Sequence, residues 1–215
     1  MLAAGGRPPQ ASDTRGVKLK DKTRTGVAAA MLAMAGLAAC RAPLPPAERR
    51  WREGRQQAIA AALAEAGKPA VTLRYYPYDT AYRFRTVIAP VSPPEALRIP
   101  TSSGAVRPAH RVGRVRLPLP GGEATLALYA LDDVQATLPD HLFLPFRDAG
   151  AGGETYGAGR YVEVERLPGG VVEIDLNRAY NPDCAYGLAA QCPITPDENT
   201  LRVAVAAGEL IPPAH

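Results

Sequence analysis

The chain has 215 residues, 47% of them hydrophobic and 21% charged, which bounds the answer to one globular domain of ordinary size. Its 22 prolines and 20 glycines exclude a helical bundle and favour a turn-rich β fold. The formal net charge of +4 owes much to the lysines and arginine of KLKDKTRTG, and no basic stripe is interleaved with aromatics, so a nucleic-acid partner is excluded.

In chain order, Lys18, Lys20, Lys22 and Arg24 precede the apolar run VAAAMLAMAGLAA. The run is shorter than the ~20 residues a membrane-spanning helix needs, so residues 1–39 read as a signal peptide. A polar preface of sixteen residues, Met1 to Gly16, is long for such a signal, and a start near Val17 would leave a charged region of normal length. Leu37-Ala38-Ala39-Cys40 resembles the lipobox of bacterial lipoprotein precursors, which makes Cys40 the expected lipidation site and places the protein in the cell envelope on a palmitate-type anchor. Arg41 stands where enteric lipoproteins carry an inner-membrane retention aspartate, so the outer membrane, periplasm-facing, is the expected destination.

Residues 40–46 read as a stiff, lipidated, proline-rich tether. Residues 47–67 read as a helix rich in Ala, Arg, Glu and Gln, with Trp51, Ile59 and Leu63 able to share one side and Gly67 ending it; Gly54 weakens it. Its arginines either face solvent or touch anionic lipid head groups beside the anchor.

Residues 71–211 change character. VTLRYY, YRFRTVIA, RVGRVRLPL, EATLALYAL, HLFLPF, GRYVEVERL, GVVEIDL and TLRVAVAA all suit strands, punctuated by proline and glycine. The expected fold is mainly β: an antiparallel sandwich or partly closed barrel with one amino-terminal helix. VSPPEALRIPTSSGAVRPAH reads as a long connection. In RYVEVERLPGGVVEIDLNR a shared core face for Val162, Val164, Val172, Ile174 and Leu176 sets Leu167 opposite Val171 around a Pro168-Gly169-Gly170 turn. That register would also oppose Glu163 to Asp175 and Glu165 to Glu173, a like-charged face that is either splayed into solvent or able to bind a hard cation.

FRDAGAGGETYGAGRYVEVE, then VVEIDLNRAYNPDCAY, then CPITPDENTLRVAVAAGE resemble in order the carboxyl-terminal signature of the bacterial family called domain of unknown function 1684, and YYPYDTAYRFRTVI resembles an earlier segment of it. The resemblance runs from about Tyr75 to Glu209. Two features depart from the family: a tryptophan- and glycine-rich amino-terminal section is replaced by the Ala/Arg helix, and Asp183 stands at a usual proline. The resemblance implies a fold and candidate positions, and no activity.

The remaining candidates come from the residues. Asp175 and Asn177 are placed on one strand face that Arg178 ends, and Asn181-Pro182 forces a turn. Cys184 and Cys192, in an exported protein, most simply form a disulfide worth about 2–3 kcal/mol. The glycine loop before Arg160 lacks the helix a dinucleotide site needs, and is expected to set Asp148, Tyr156 and Arg160 beside the Asp175–Arg178 corner. Asp148, Asp175 or Glu198 would then hold Arg160 and Arg178, with Tyr156 and Tyr180 as stacking faces. His110, His141 and His215 lack ligand-like spacing, so no metal and no cofactor are expected. Three functions remain: a module binding a small polar ligand, glycan or envelope protein; a hydrolase or isomerase with Asp175 or Glu209 as general base; and a structural lipoprotein.

Overall fold

The computed structural model describes residues 43–188 and 191–213. The expected signal peptide, the alternative start near Val17, the Cys40 lipidation site and the next two residues of the tether lie outside these residues.

Helix α1 spans Pro46–Glu65. Proline at the first helical position loses no bonded N–H, and Gly67 in the left-handed region (φ 63°) closes the end: Lys68 N–H donates to Leu63 O at 2.8 Å and Gly67 N–H to Ala64 O at 3.1 Å, a Schellman cap. Ile59 and Leu63, one turn apart, bury against Tyr186 with Val71 and Leu73 around them, and Trp51 packs edge-on against Tyr75. Among the described residues no helix is long and apolar enough to cross a membrane.

The rest is strand and turn. β1 is Arg83–Val87, β2 Ala89–Pro100, β3 Val106–Leu119, β4 Gly122–Leu131, β5 His141–Phe146, β6 Arg160–Leu167 and β7 Val171–Asp175, with the short helix α2, Asp132–Gln135, after β4. They form one antiparallel sheet in the order β1-β7-β6-β5-β4-β3-β2. The two edge strands are consecutive in the chain and joined through Ile88, so the sheet curls into a half-barrel; of the two expected architectures it is the partly closed barrel.

One face carries the main core, with Leu126 and Leu128 of β4, Leu142, Leu144 and Phe146 of β5, and Val162 and Val164 of β6. The other face carries a smaller cluster built on Tyr129, Phe143 and Tyr161. Strand β4 feeds both, which is why it reads as an almost continuous apolar run.

Three sequence expectations change. The segment expected to be a long connection is β2 and the first half of β3, paired from Glu95↔Arg111 to Pro100↔Val106. Its prolines are tolerated because β2 is an edge strand with one side unpaired, and the ladder shifts between Pro90 and Glu95. VTLRYY and TLRVAVAA are extended chain rather than strands, held by isolated bridges Tyr75↔Glu209 and Arg147↔Thr200. Their alternation records burial of Leu201, Val205 and Ala207, not pairing. In the β6–β7 hairpin Leu167 does oppose Val171, but pairing stops at Arg166↔Val172, so the like-charged pairs never form.

Cys184 and Cys192 form a disulfide with Cα atoms 6.4 Å apart. The loop it closes docks on the β2–β3 turn, where Ser102 N–H donates to Cys192 O at 2.9 Å and Cys192 N–H to the Ser102 hydroxyl at 3.2 Å.

Candidate functional site

The opening of the β6–β7 hairpin makes the site. After Arg166↔Val172 the strands separate and rejoin where Tyr161 and Tyr180 exchange backbone bonds of 2.9 Å in both directions. Between these points β6 carries residues 162–165 and the returning chain residues 173–179. The longer arm bows outward as the end of β7 and a 3₁₀ turn, Leu176–Arg178, leaving a closed eyelet with a cleft of about 400 Å³. Backbone direction alternates along a strand. Since Tyr161 faces Tyr180, the N–H and C=O groups of Glu163 and Glu165 face the same way, into the eyelet.

Charge is arranged on its two walls. On the β1–β7 wall stand Arg83, Arg85 and Arg178; on the β6 wall stand Glu163 and Glu165. Arg83 Nε lies 3.2 Å from Asp175, Arg85 pairs with Glu173 and Arg178 Nε lies 3.2 Å from Glu48, so each arginine on that side is matched by one carboxylate. Opposite, Glu163 accepts from the Tyr180 hydroxyl and sits 2.5 Å from His141 Nε2. Glu165 has no side-chain ion-pair partner among the described residues. A wall of paired arginines thus faces the Glu163 and Glu165 carboxylates across a small cleft.

The structure divides the sequence candidates. Asp175 and Arg178 line the cleft, and Tyr180 braces it through Glu163. Asp175 ends its strand rather than sharing a strand face with Asn177: it caps the turn, accepting from Asn177 N–H at 3.1 Å and from its side-chain amide at 2.8 Å. Buried Asn177 exchanges bonds of 2.9 and 2.8 Å with the Asp79 backbone, and Arg178 bonds Glu48 of α1 at 3.2 Å.

Asp148 and Arg160 are not at this corner. Arg160, 1% exposed, donates to Asp148 at 2.7 Å, to Val205 O at 3.0 Å, to Glu209 O at 3.1 Å and to Ala207 O; it fastens the carboxyl-terminal segment to the sheet. Asp148 also accepts from Gly150 N–H at 2.7 Å. Tyr156 stays half-buried in the glycine loop, its carbonyl accepting from Gly159 N–H at 3.0 Å. Glu198 belongs to a knot on β3 and β4, bonded to Arg111 at 2.7 Å, to Tyr129 at 2.7 Å and to Arg114. Although burial opposes it, these donors hold its carboxyl below the ordinary glutamate range. The two arginines of the resulting network never meet because Arg160 points under the sheet and Arg178 toward α1.

Glu209, weighed as a general base, is fully buried and saturated by Arg55 and Tyr75 at 3.2 Å each, the Asn181 N–H at 2.8 Å and Tyr186 at 2.6 Å. Among the described residues no three His, Cys, Asp or Glu side chains are placed to hold a metal ion; of the strand-face carboxylates, Asp175 and Glu173 pair with Arg83 and Arg85 and Glu163 with His141. Sequence reasoning missed Arg83, Arg85 and His141. The signal for the arginines was the alternation in YRFRTV, which matches the alternation of Asp175 and Glu173 across β1–β7.

A family model described as Protein of unknown function (DUF1684) matches residues 71–210. The chain belongs to this family. The DUF1684 segment contains the whole sheet and every cleft residue, while α1 precedes it. The solution NMR structure of the uncharacterized protein from gene locus rrnAC0354 of Haloarcula marismortui is similar, with 27% identity and a TM-score of 0.55 over 75% of this chain and 93% of that one. None of the curated proteins matches.

Tyrosines tie these networks together and give a pH signature. Burial, then Glu209, raises the phenols of Tyr75 and Tyr186 far above the ordinary 10.0; burial, then the carboxylate each one bonds, does the same at Tyr129 and Tyr180, and burial with the bond to Glu154 pushes Tyr76 up to about 12. A raised phenol contributes stability that is complete below the unfolded value near 10 and lost as pH climbs through the folded value. Ultraviolet phenolate titration is therefore expected to show Tyr75, Tyr129, Tyr180 and Tyr186 ionising only in the cooperative alkaline unfolding step. Independent ionisation before unfolding would contradict the buried networks.

Proposed function

We propose that this protein is a lipid-anchored envelope module that binds a small zwitterionic ligand, such as an amino acid or dipeptide, in the β6–β7 eyelet. The observation that carries the reading is that Arg83, Arg85 and Arg178 face Glu163 and Glu165 across a cleft of about 400 Å³. An ammonium group fits against Glu165 and Glu163, and a carboxylate against Arg83 and Arg178, with inward-facing backbone groups between them to fix orientation. The family match supports a shared domain without naming a ligand. The anchor rests on the apolar run ending in Leu37–Cys40, and labelled palmitate incorporated by the wild type but not by Cys40→Ser is its check.

The binding test uses Glu165→Gln, because Glu165 is exposed and makes no side-chain contact that holds the fold. Calorimetric titration of the full chain with free amino acids and dipeptides is expected to give saturable binding that falls at least ~10-fold in Glu165→Gln, in line with a charged hydrogen bond of about 1.5–3 kcal/mol. A neutral hexose and inorganic phosphate serve as controls. Equal binding by both proteins, or binding of the controls alone, would refute the reading.

A further inference from the structure

Helix α1 lies outside the DUF1684 segment, yet one of its half-buried arginines, Arg55, is received by groups that lie within it. Arg55 Nη2 donates to Asn181 O at 2.7 Å and Nε to Glu209 Oε1 at 3.2 Å, and Asp183 stands 3.7 Å away. The guanidinium lies over the Tyr180 ring at 4.7 Å and near the Tyr186 ring at 5.9 Å. Aromatic faces on a planar cation, with carboxylate and carbonyl acceptors at its edge, are the chemistry of guanidinium recognition.

The acceptors are organised without Arg55. Glu209 is held by Asn181 N–H and the Tyr186 and Tyr75 hydroxyls, and Asn181 anchors itself through Leu210 O at 2.8 Å. Asn181 Oδ1 is buried with no hydrogen-bond partner, in a residue that is 0% exposed, which leaves one more acceptor beside the slot. Burial opposes the Arg55 charge, but Glu209 first and then Tyr186 and Asp183 raise its pKa above the ordinary arginine value. The helix around Arg55 adds modest apolar contact, with Ile59 and Leu63 as its buried hydrophobic side chains.

We infer that Glu209, Asn181, Tyr180 and Tyr186 form a binding slot for an alkylguanidinium group, and that Arg55 of α1 is an internal ligand occupying it. The DUF1684 segment carries the receptor and the preceding helix supplies the occupant, so a chain lacking that arginine presents an open site for an external guanidinium. The slot shares Tyr180 with the eyelet, whose Glu163 accepts from the Tyr180 hydroxyl.

The test is chemical rescue in the full chain. Arg55→Ala is expected to melt about 10 °C lower than the wild type, because Glu209 loses its buried cation. Methylguanidine at millimolar concentration should then raise the variant's Tm saturably by ~5 °C, while methylammonium does not and the wild type, already filled, does not respond. Should Arg55→Ala fail to fold, its refolding from urea should depend on methylguanidine. A variant indifferent to methylguanidine in both measurements, or a wild type that responds equally, would overturn the inference. The same rescue in Arg55→Ala/Glu165→Gln separates this slot from the eyelet.

Discussion

Replacing Arg160 by methionine is expected to remove about 3–5 kcal/mol of unfolding free energy, among the largest effects available to a single substitution here. Arg160 is the largest side chain buried below 2% exposure, and its guanidinium satisfies four acceptors at once: Asp148 and the carbonyls of Val205, Ala207 and Glu209. Methionine fills much of the volume against Phe146 but leaves Asp148, 5% exposed, as an uncompensated buried charge and three carbonyls without a donor. Asp148→Asn should cost less, since the amide oxygen at the Oδ2 position still accepts from Arg160, although the amide nitrogen then replaces the Oδ1 acceptor of Gly150 N–H. Urea unfolding of the two variants checks the order. Equal, small losses would mean that the staple does not hold the carboxyl-terminal segment.

Gly208→Ala is expected to cost about 3 kcal/mol or more for a different reason. Gly208 has φ 79°, and a Cβ there would lie 2.5 Å from Ala179 O, 2.7 Å from Ala179 Cβ and 2.9 Å from Leu176 O. Two of these atoms are backbone of the chain that forms the outer arm of the eyelet, so relief must move either that arm or Glu209, whose N–H bonds Ala179 O at 2.8 Å. Gly54→Ala offers the opposite sign. A Cβ there meets nothing within 4 Å, the site is inside α1, and helix propensity predicts a gain of up to ~1 kcal/mol. Thermal unfolding of both proteins measures the contrast.

Local chemistry was legible in the sequence. Pro46 and Gly67 bound α1, the apolar pattern sets Leu167 against Val171, and the two cysteines pair because each feature is decided within a few residues. Non-local geometry was not legible. Nothing in RYVEVERLPGGVVEIDLNR says that the ladder stops after Arg166, because the cause lies outside the hairpin. β5 engages β6 from His141↔Glu165 to Phe146↔Arg160, β1 engages all of β7, and the two partners draw the strands apart. The same holds for Arg178, whose acid is Glu48 in α1 rather than any neighbouring carboxylate. Asp148 was one of three acids expected to hold Arg160 or Arg178, but the position of the Arg160–Asp148 pair under the carboxyl-terminal segment depends on carbonyls that leave no trace in a sequence. Prolines disguised β2 as a loop since pairing on one side alone tolerates them.

Backbone amide shift mapping of the full chain with free amino acids and dipeptides reports directly on ligand binding in the eyelet. Saturable shifts are expected at Glu163, Glu165, Glu173, Asp175 and Arg178, weakening with added salt as partly exposed charges are screened and greatly reduced in Glu165→Gln. Shifts that saturate instead in the Asp148–Arg160 glycine loop, or a spectrum unchanged by every zwitterion, would contradict binding there.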